Sequence, residues 1–354
     1  MPPRRRKRID SALFALPADQ IRAGTYSDAS LNAGRAALRA VGRAARVTWQ
    51  VSARNAGWLG GIDEAIALLR LCSDDFGALD VHALYEGDRV ETWDSVLVVE
   101  GDYAGFAHLE TLVLGTIARR TRLCTNLRTL VEAARPKPVY YLGARSDHAL
   151  LQPGDGLSAH VAGAASVSTE AHGALTGKPG AGTISHALIA AFGGDTVAAT
   201  LAAAAVTPAE VRLIALVDYE NDSVATSVAV ARALEGRLWG VRLDTSDYMV
   251  DRSVVPQMGA FRPTGVNTAL VWNVRNALDA EGFGDVKIVV SGGFTLARIR
   301  AFEEDGVPVD AYGVGSSAHE GRWDVTADVV RVDGQPQARA GREARTNVRL
   351  ERVK

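Results

Sequence analysis

An α/β fold assembled from parallel β-loop-α units is the class this sequence predicts, and two features predict it. From about Pro138 onward, short apolar runs of strand character (Val139–Leu142, Val211–Val217, Leu238–Leu243, Lys287–Val290 and Ala311–Val314) alternate with helical stretches (Ser223–Leu234, Asn267–Ala280 and Leu296–Glu304). Such alternation makes the helices crossovers between parallel strands, in a barrel or a doubly wound sheet. The second feature is a pair of glycine-rich strand ends, Ile288-Val289-Val290-Ser291-Gly292-Gly293-Phe294 and Asp310-Ala311-Tyr312-Gly313-Val314-Gly315-Ser316-Ser317. Loops after the last strands of an α/β barrel commonly bind phosphate through main-chain N–H groups. Glycine lets the backbone approach the oxygens, and a following helix N-terminus favours negative charge. Tight turns without a ligand are the structural alternative.

The bulk numbers are those of an ordinary globular chain. At 354 residues it is long enough for a sizeable core and for two domains. It is 47% hydrophobic and 23% charged with a formal net charge of −2, which gives no support to a nucleic-acid groove. The basic stretch Met1 to Arg8 reads as a frayed, solvated tail rather than a nucleic-acid arm, and it lacks the pattern of a signal peptide. No apolar run reaches the roughly 18–20 residues that span a bilayer. Cys72 and Cys124 sit in no metal-binding or CxxC pattern, so they read as buried free thiols of a cytoplasmic protein.

Ahead of the alternating region the chain reads as α+β. Ile62 to Leu71 has helical spacing; Val81–Tyr85, Arg89–Trp93 and Val96–Glu100 read as a small antiparallel sheet broken at Glu86-Gly87-Asp88. A long helix is expected from roughly Tyr103 to Leu130. Beyond Gly321 the chain turns strand-like again (Val325–Val332, then Gln337–Val353) and is expected to return to the first domain.

Polar residues gather where barrel strands should end, the side of the fold that faces an active site. Asp218 follows Leu213–Val217, while Arg242 and Asp244 flank Leu243 and share one side of an alternating strand. Carboxylates there suit ribose hydroxyls or a phosphate-bound magnesium ion; a structural ion pair is the alternative. His186 follows Gly182-Thr183 at a helix start, a position equally open to a structural histidine. Arg145, after Tyr140-Tyr141-Leu142-Gly143, is placed to meet a carboxylate with its guanidinium fork or to sit on the surface. No Ser-His-Asp order, GxGxxG or GxxxxGK[ST] pattern is present.

In this order, several segments resemble the nicotinate phosphoribosyltransferase family, particularly its short branch. They are Gly60-Gly61-Ile62-Asp63-Glu64-Ala65; Glu100-Gly101-Asp102-Tyr103 with Leu109 to Gly115; Gly143-Ala144-Arg145; Ser168-Thr169; Gly182-Thr183 through His186-Ala187-Leu188-Ile189; Arg242-Leu243-Asp244-Thr245; Val290-Ser291-Gly292-Gly293; and Gly313-Val314-Gly315-Ser316. The resemblance implies a type II phosphoribosyltransferase with an N-terminal α/β sandwich (10–130, joined by 325–354) and an irregular (β/α) barrel (131–324). It implies a homodimer or higher oligomer with shared active sites. It also implies transfer of a phosphoribosyl group from phosphoribosyl pyrophosphate to nicotinate, with substrate-bound Mg2+ and ATP as co-substrate.

Carried over by position, Ser291, Gly292, Gly293, Gly313, Gly315 and Ser316 would cradle the 5′-phosphate. Asp218, Arg242 and Asp244 would hold the ribose and pyrophosphate side, with Asp244 counted among the catalytic residues. Arg145, Ser168 and Thr169 would meet the nicotinate carboxylate, and His186 would be the histidine phosphorylated by ATP. Two departures fall on the base pocket. Ser30 stands where the family usually has an aromatic that stacks across the dimer, a role Tyr26 could take, and Ser146 replaces a basic or histidine residue. Quinolinate phosphoribosyl transfer (with Lys137 as a second cation beside Arg145), a paralogue acting on another aromatic base, and a non-enzymatic phosphate-ligand sensor are the alternatives.

Overall fold

The computed structural model describes residues 6–259 and 261–353, so the Met1-to-Arg5 part of the basic tail lies outside the described residues. The first part of the chain supplies strands β1 (Arg46–Ala53), β2 (Gly57–Trp58), β3 (Asp80–Ala83), β4 (Arg89–Val90) and β5 (Ser95–Asp102), with helices α1 (Ala18–Arg22), α2 (Ala29–Ala40) and α3 (Ile62–Cys72). Helix α4 (Glu110–Ala134) leads into strands β6 (Val139–Tyr141), β7 (Ser166–Val167), β8 (Leu213–Leu216), β9 (Leu238–Leu243), β10 (Lys287–Val290) and β11 (Ala311–Val314). Between them lie α5 (Gln152–Ala162), α6 (Glu170–Gly173), α7 (His186–Ala191), α8 (Thr196–Val206), α9 (Ser223–Leu234), α10 (Thr268–Ala280) and α11 (Leu296–Glu304). The tail adds β12 (Val325–Val332), β13 (Gln335–Pro336) and β14 (Glu351–Arg352).

Among the described residues, β13-β12-β1-β5-β3-β14 form one antiparallel sheet, with the tail strands at both edges. Period-2 alternation on β1 sends Val47, Trp49, Val51 and Ala53 into one core. Ile62, Ile66 and Leu69 of α3 and Val113 and Ile117 of α4 close that core from above. Of the expected second tail strand, 337–353, only Glu351–Arg352 forms a strand, and it bonds to β3; the rest is irregular, broken by turns at 340–341 and 348–349.

The second sheet is parallel, in the order β7-β6-β11-β10-β9-β8. Residues 180–184 bridge its two edges: Ala181 N–H donates to Val167 O at 2.7 Å and Ile184 N–H to Ile214 O at 3.3 Å. The result is an irregular barrel. Outward residues such as Val241, Leu243, Ile288, Val290, Tyr312 and Val314 meet the helices, whereas Ile214, Val289 and Ala311 fill the small interior.

The long helix begins later than its sequence suggests. Residues 103–109 form two 3-10 turns, and α4 then continues to Ala134, about 37 Å at 1.5 Å per residue. It serves both cores: Val113 and Ile117 belong to the first, Leu123 to Ala134 to the barrel, so residues 123–130 pack with the barrel rather than with the first domain. Buried Arg120 joins the halves, ion-paired to Glu64 at 2.9 Å and to Asp155. The described end of the basic tail is not frayed. Arg8 donates to Asp63 and Leu84 O at 3.0 Å and stacks 4.1 Å over the Tyr85 ring, because Asp63 is a buried carboxylate that needs a partner.

Candidate active site

The register aligns the strand ends. Leu216 pairs with Arg242, Leu243 with Val290, Val290 with Tyr312 and Val314 with Tyr141. Residues of interior parity just beyond the last interior layer therefore converge: Asp218 after Ile214, Arg242 and Asp244, Ser291 after Val289, and Gly313 after Ala311. Asparagine and hydroxyl side chains cap helices that follow, Ser185 capping α7, Asn267 α10 and Thr295 α11.

Arg242 is the hub. Its Nε donates to Ser291 Oγ at 2.7 Å, its Nη1 to Thr183 Oγ1 at 3.0 Å, and its Nη2 lies 2.8 Å from Asp244 Oδ2. Ser291 Oγ in turn donates to Asp244 Oδ1 at 2.6 Å. Across the mouth, His186 Nε2 lies 3.2 Å from Asp218 Oδ2; the imidazole is 49% exposed and the carboxylate 7%. Burial pushes the Asp218 carboxyl up, His186 draws it back, and the negative field of Asp244 raises it. Thr183, a hydroxyl the sequence reading did not single out, could have been found from its place three residues before His186.

The two glycine-rich loops are neighbours. A Cβ on Gly313 would come within 3.1 Å of Ser291 Cβ, so glycine is what lets them approach. Gly292 and Gly293 hold φ of 81° and 72°, the left-handed region. Gly315 follows β11, and Ser316 opens a 3-10 turn (Ser316–His319) that no side chain caps.

The expected base-pocket residues are less united. Arg145 ends a 3-10 turn after β6 and is exposed. Ser168 Oγ is buried with no partner among the described residues. Thr169 is committed to structure: its hydroxyl caps α6 through His172 N–H, donates to Gln152 Oε1 at 2.8 Å and touches His172 Nδ1. Tyr26 lies on the first domain, half-exposed, with its hydroxyl on Gln20. Lys137 sits at the opposite end of β6, 2.8 Å from Glu303, so it does not supply a second cation at the mouth. Histidines without recognisable spacing meet on the outer face of β6. Tyr141 Oη is 2.8 Å from His319 Nε2, and its ring stands edge-on to His172; burial lowers both imidazoles and raises the phenol.

Among the described residues no group of three or more His, Cys, Asp and Glu is placed to hold a metal ion, and no helix is long and apolar enough to cross a membrane. Cys72 and Cys124 are buried and free.

Comparison with known proteins places this arrangement. Residues 35–121 match the family model of the quinolinate phosphoribosyl transferase N-terminal domain. The chain is 32% identical over 272 residues to nicotinate phosphoribosyltransferase pncB1 of Mycobacterium tuberculosis, covering 73% of this chain and 54% of that protein. It thus spans about half the length of the curated relatives it matches. The crystal structure of nicotinate-nucleotide pyrophosphorylase from Pyrococcus furiosus is 31% identical with a TM-score of 0.79, over 94% of this chain and 81% of that one. Human nicotinic acid phosphoribosyltransferase, 19% identical over 88% of this chain and 76% of that chain with a TM-score of 0.69, shares the fold.

Proposed function

This chain belongs to the nicotinate phosphoribosyltransferase family, and we propose that it transfers the phosphoribosyl group of phosphoribosyl pyrophosphate to nicotinate, giving nicotinate mononucleotide and pyrophosphate in NAD salvage. The observation that carries the reading is the Arg242–Asp244–Ser291 network set directly beside the two glycine loops at the carboxyl end of the barrel. In the reaction the anomeric C–O bond to pyrophosphate breaks as the pyridine nitrogen bonds the same carbon. Positive charge develops on the sugar and negative charge on the leaving group, so fixed carboxylates and main-chain dipoles supply most of the stabilisation. Asp218 and Asp244 face the sugar; the loops at Ser291–Gly293 and Gly313–Ser316 take the 5′-phosphate. Mg2+ enters as part of the pyrophosphate substrate.

ATP acts as co-substrate through His186. With Nε2 held by the Asp218 carboxylate, Nδ1 is the ring nitrogen left to accept the γ-phosphoryl group of ATP as its bond to the departing ADP breaks, and water later removes that group as phosphate. Arg145 is the cation offered to the base, and a single cation suits one carboxylate. Nicotinate therefore fits better than quinolinate, whose second carboxylate would need the partner that Lys137 does not provide. The working unit is a homodimer or higher oligomer in the cytoplasm, with Tyr26 offered to a neighbouring subunit's site. The test is a panel of nicotinate, quinolinate and nicotinamide with phosphoribosyl pyrophosphate, with and without ATP. Pyrophosphate release with nicotinate, stimulated by ATP, is the expected result. Ligand binding without turnover on any base would leave a sensor.

A further inference from the structure

Arg298, on the first turn of α11, is engaged by three main-chain oxygens. Its Nη1 donates to Gly292 O at 2.8 Å and Gly293 O at 3.0 Å, and its Nη2 to Val266 O at 2.7 Å. The guanidinium lies 4.4 Å from the Phe294 ring centroid, and Asp247 flanks it at 3.4 Å. These contacts occupy the fork, so Arg298 is not itself free to receive an anion.

What it does instead follows from peptide geometry. A trans peptide sets C=O and N–H on opposite sides, and the cis bond recorded among the described residues is Arg135–Pro136. With the Gly292 and Gly293 carbonyls held by Arg298, the N–H groups of Gly293 and Phe294 are turned the other way. Neither they nor the Gly292 N–H has a hydrogen-bond partner among the described residues. Two successive glycines at positive φ make this the most easily flipped stretch of the loop. A flip would present carbonyl oxygens, which repel an anion, where donors now stand.

We propose that Arg298 is a positioning residue that locks the Ser291–Phe294 loop with its amide donors turned to receive the sugar phosphate. Through Val266 O it also ties that loop to the segment leading into α10, so the two move together. The inference rests on the phosphoribosyl reading for the identity of the anion, and a binding measurement separates the two.

Ribose 5-phosphate, which carries the phosphate end alone, is titrated calorimetrically into the full chain, Arg298→Met and Arg298→Lys. The expected result is a loss of affinity of about tenfold or more in Arg298→Met, with a smaller loss in Arg298→Lys, whose ammonium is a point charge without the planar fork. In turnover the KM for phosphoribosyl pyrophosphate should rise by a similar factor while the KM for nicotinate stays within about twofold, a split that general loosening would not produce. Guanidinium ion added to Arg298→Ala should restore part of the affinity. Wild-type binding with unchanged affinity in both Arg298→Met and Arg298→Lys would overturn the inference and leave the reaction standing. Failure of the wild type to bind ribose 5-phosphate would overturn the loop's assignment itself. If Arg298→Met does not fold, Arg298→Lys carries the test, and unaltered affinity there counts against the proposal.

Discussion

Arg242 Nε and Ser291 Oγ are joined at 2.7 Å, a bond that fastens the end of β9 to the first residue after β10. The same guanidinium neutralises Asp244 and bonds Thr183, so one side chain ties together the ends of β9 and β10 and the 180–184 bridge. Replacing Arg242 with Met leaves Asp244 and Ser291 to each other and puts an unbalanced carboxylate beside a polyanionic substrate. The expected loss in kcat/KM for phosphoribosyl pyrophosphate is about 10- to 100-fold, the worth of charge-assisted bonds of about 1.5–3 kcal/mol. Steady-state kinetics check this, and an unchanged kcat/KM removes Arg242 from the machinery.

His186→Ala should abolish stimulation by ATP while slow transfer persists, because the imidazole stands apart from the Arg242 network and touches it only through the field of Asp218. Initial rates with and without ATP decide it. Persisting ATP dependence assigns the coupling elsewhere.

Arg145→Ala should raise the KM for nicotinate by about tenfold with little change for phosphoribosyl pyrophosphate. Lys137→Ala should leave both constants alone and lower the melting temperature, since its ammonium serves Glu303 and Val307 O beneath the barrel. A nicotinate defect in the lysine variant would reverse these assignments.

Gly292→Ala puts a Cβ on a residue at φ 81°, where steric room is adequate but the backbone is strained by about 1–2 kcal/mol. A melting temperature lower by a few degrees, together with weaker sugar-phosphate binding, is expected. Wild-type stability and binding would mean the loop does not require that conformation.

Glu86 makes stability depend on pH. Burial pushes its carboxyl up to about 8, Asp63 adds to the rise, and the N–H groups of Asp63 and Gly61, each 3.0 Å away, oppose it. The folded state therefore binds more protons than the unfolded chain between the ordinary glutamate value and about 8. Its contribution is complete below that ordinary value and is lost as pH rises through the folded one. Melting curves across this range should fall more steeply in the wild type than in Glu86→Gln; parallel curves would show that Glu86 titrates normally.

The barrel was legible because its signals are local. The runs Lys287–Val290 and Ala311–Val314 and the helices Ser223–Leu234 and Leu296–Glu304 stand where apolar period, caps and glycines place them. Asp218, Arg242, Asp244 and Ser291 were visible for the same reason: each follows an apolar strand, and strand parity decides which side chains share a face. The rest was hidden. Thr169 reads as a free hydroxyl, yet its cap on α6 depends on His172 folding back. Arg8 reads as a loose cation until buried Asp63 claims it, and α4 reads as part of one domain until its lower half meets the barrel.

Sequence by itself determined the α/β class, the strand ends and the chemical character of the residues at the mouth, because period, turn residues and charge act over a few neighbouring positions. Tertiary structure alone decided which ions are paired, which hydroxyls are occupied and which way the glycine amides face. Those depend on groups far apart in the chain, such as Arg242 with Thr183 or Arg298 with Val266, brought within 3.0 Å only when the strands close into a ring.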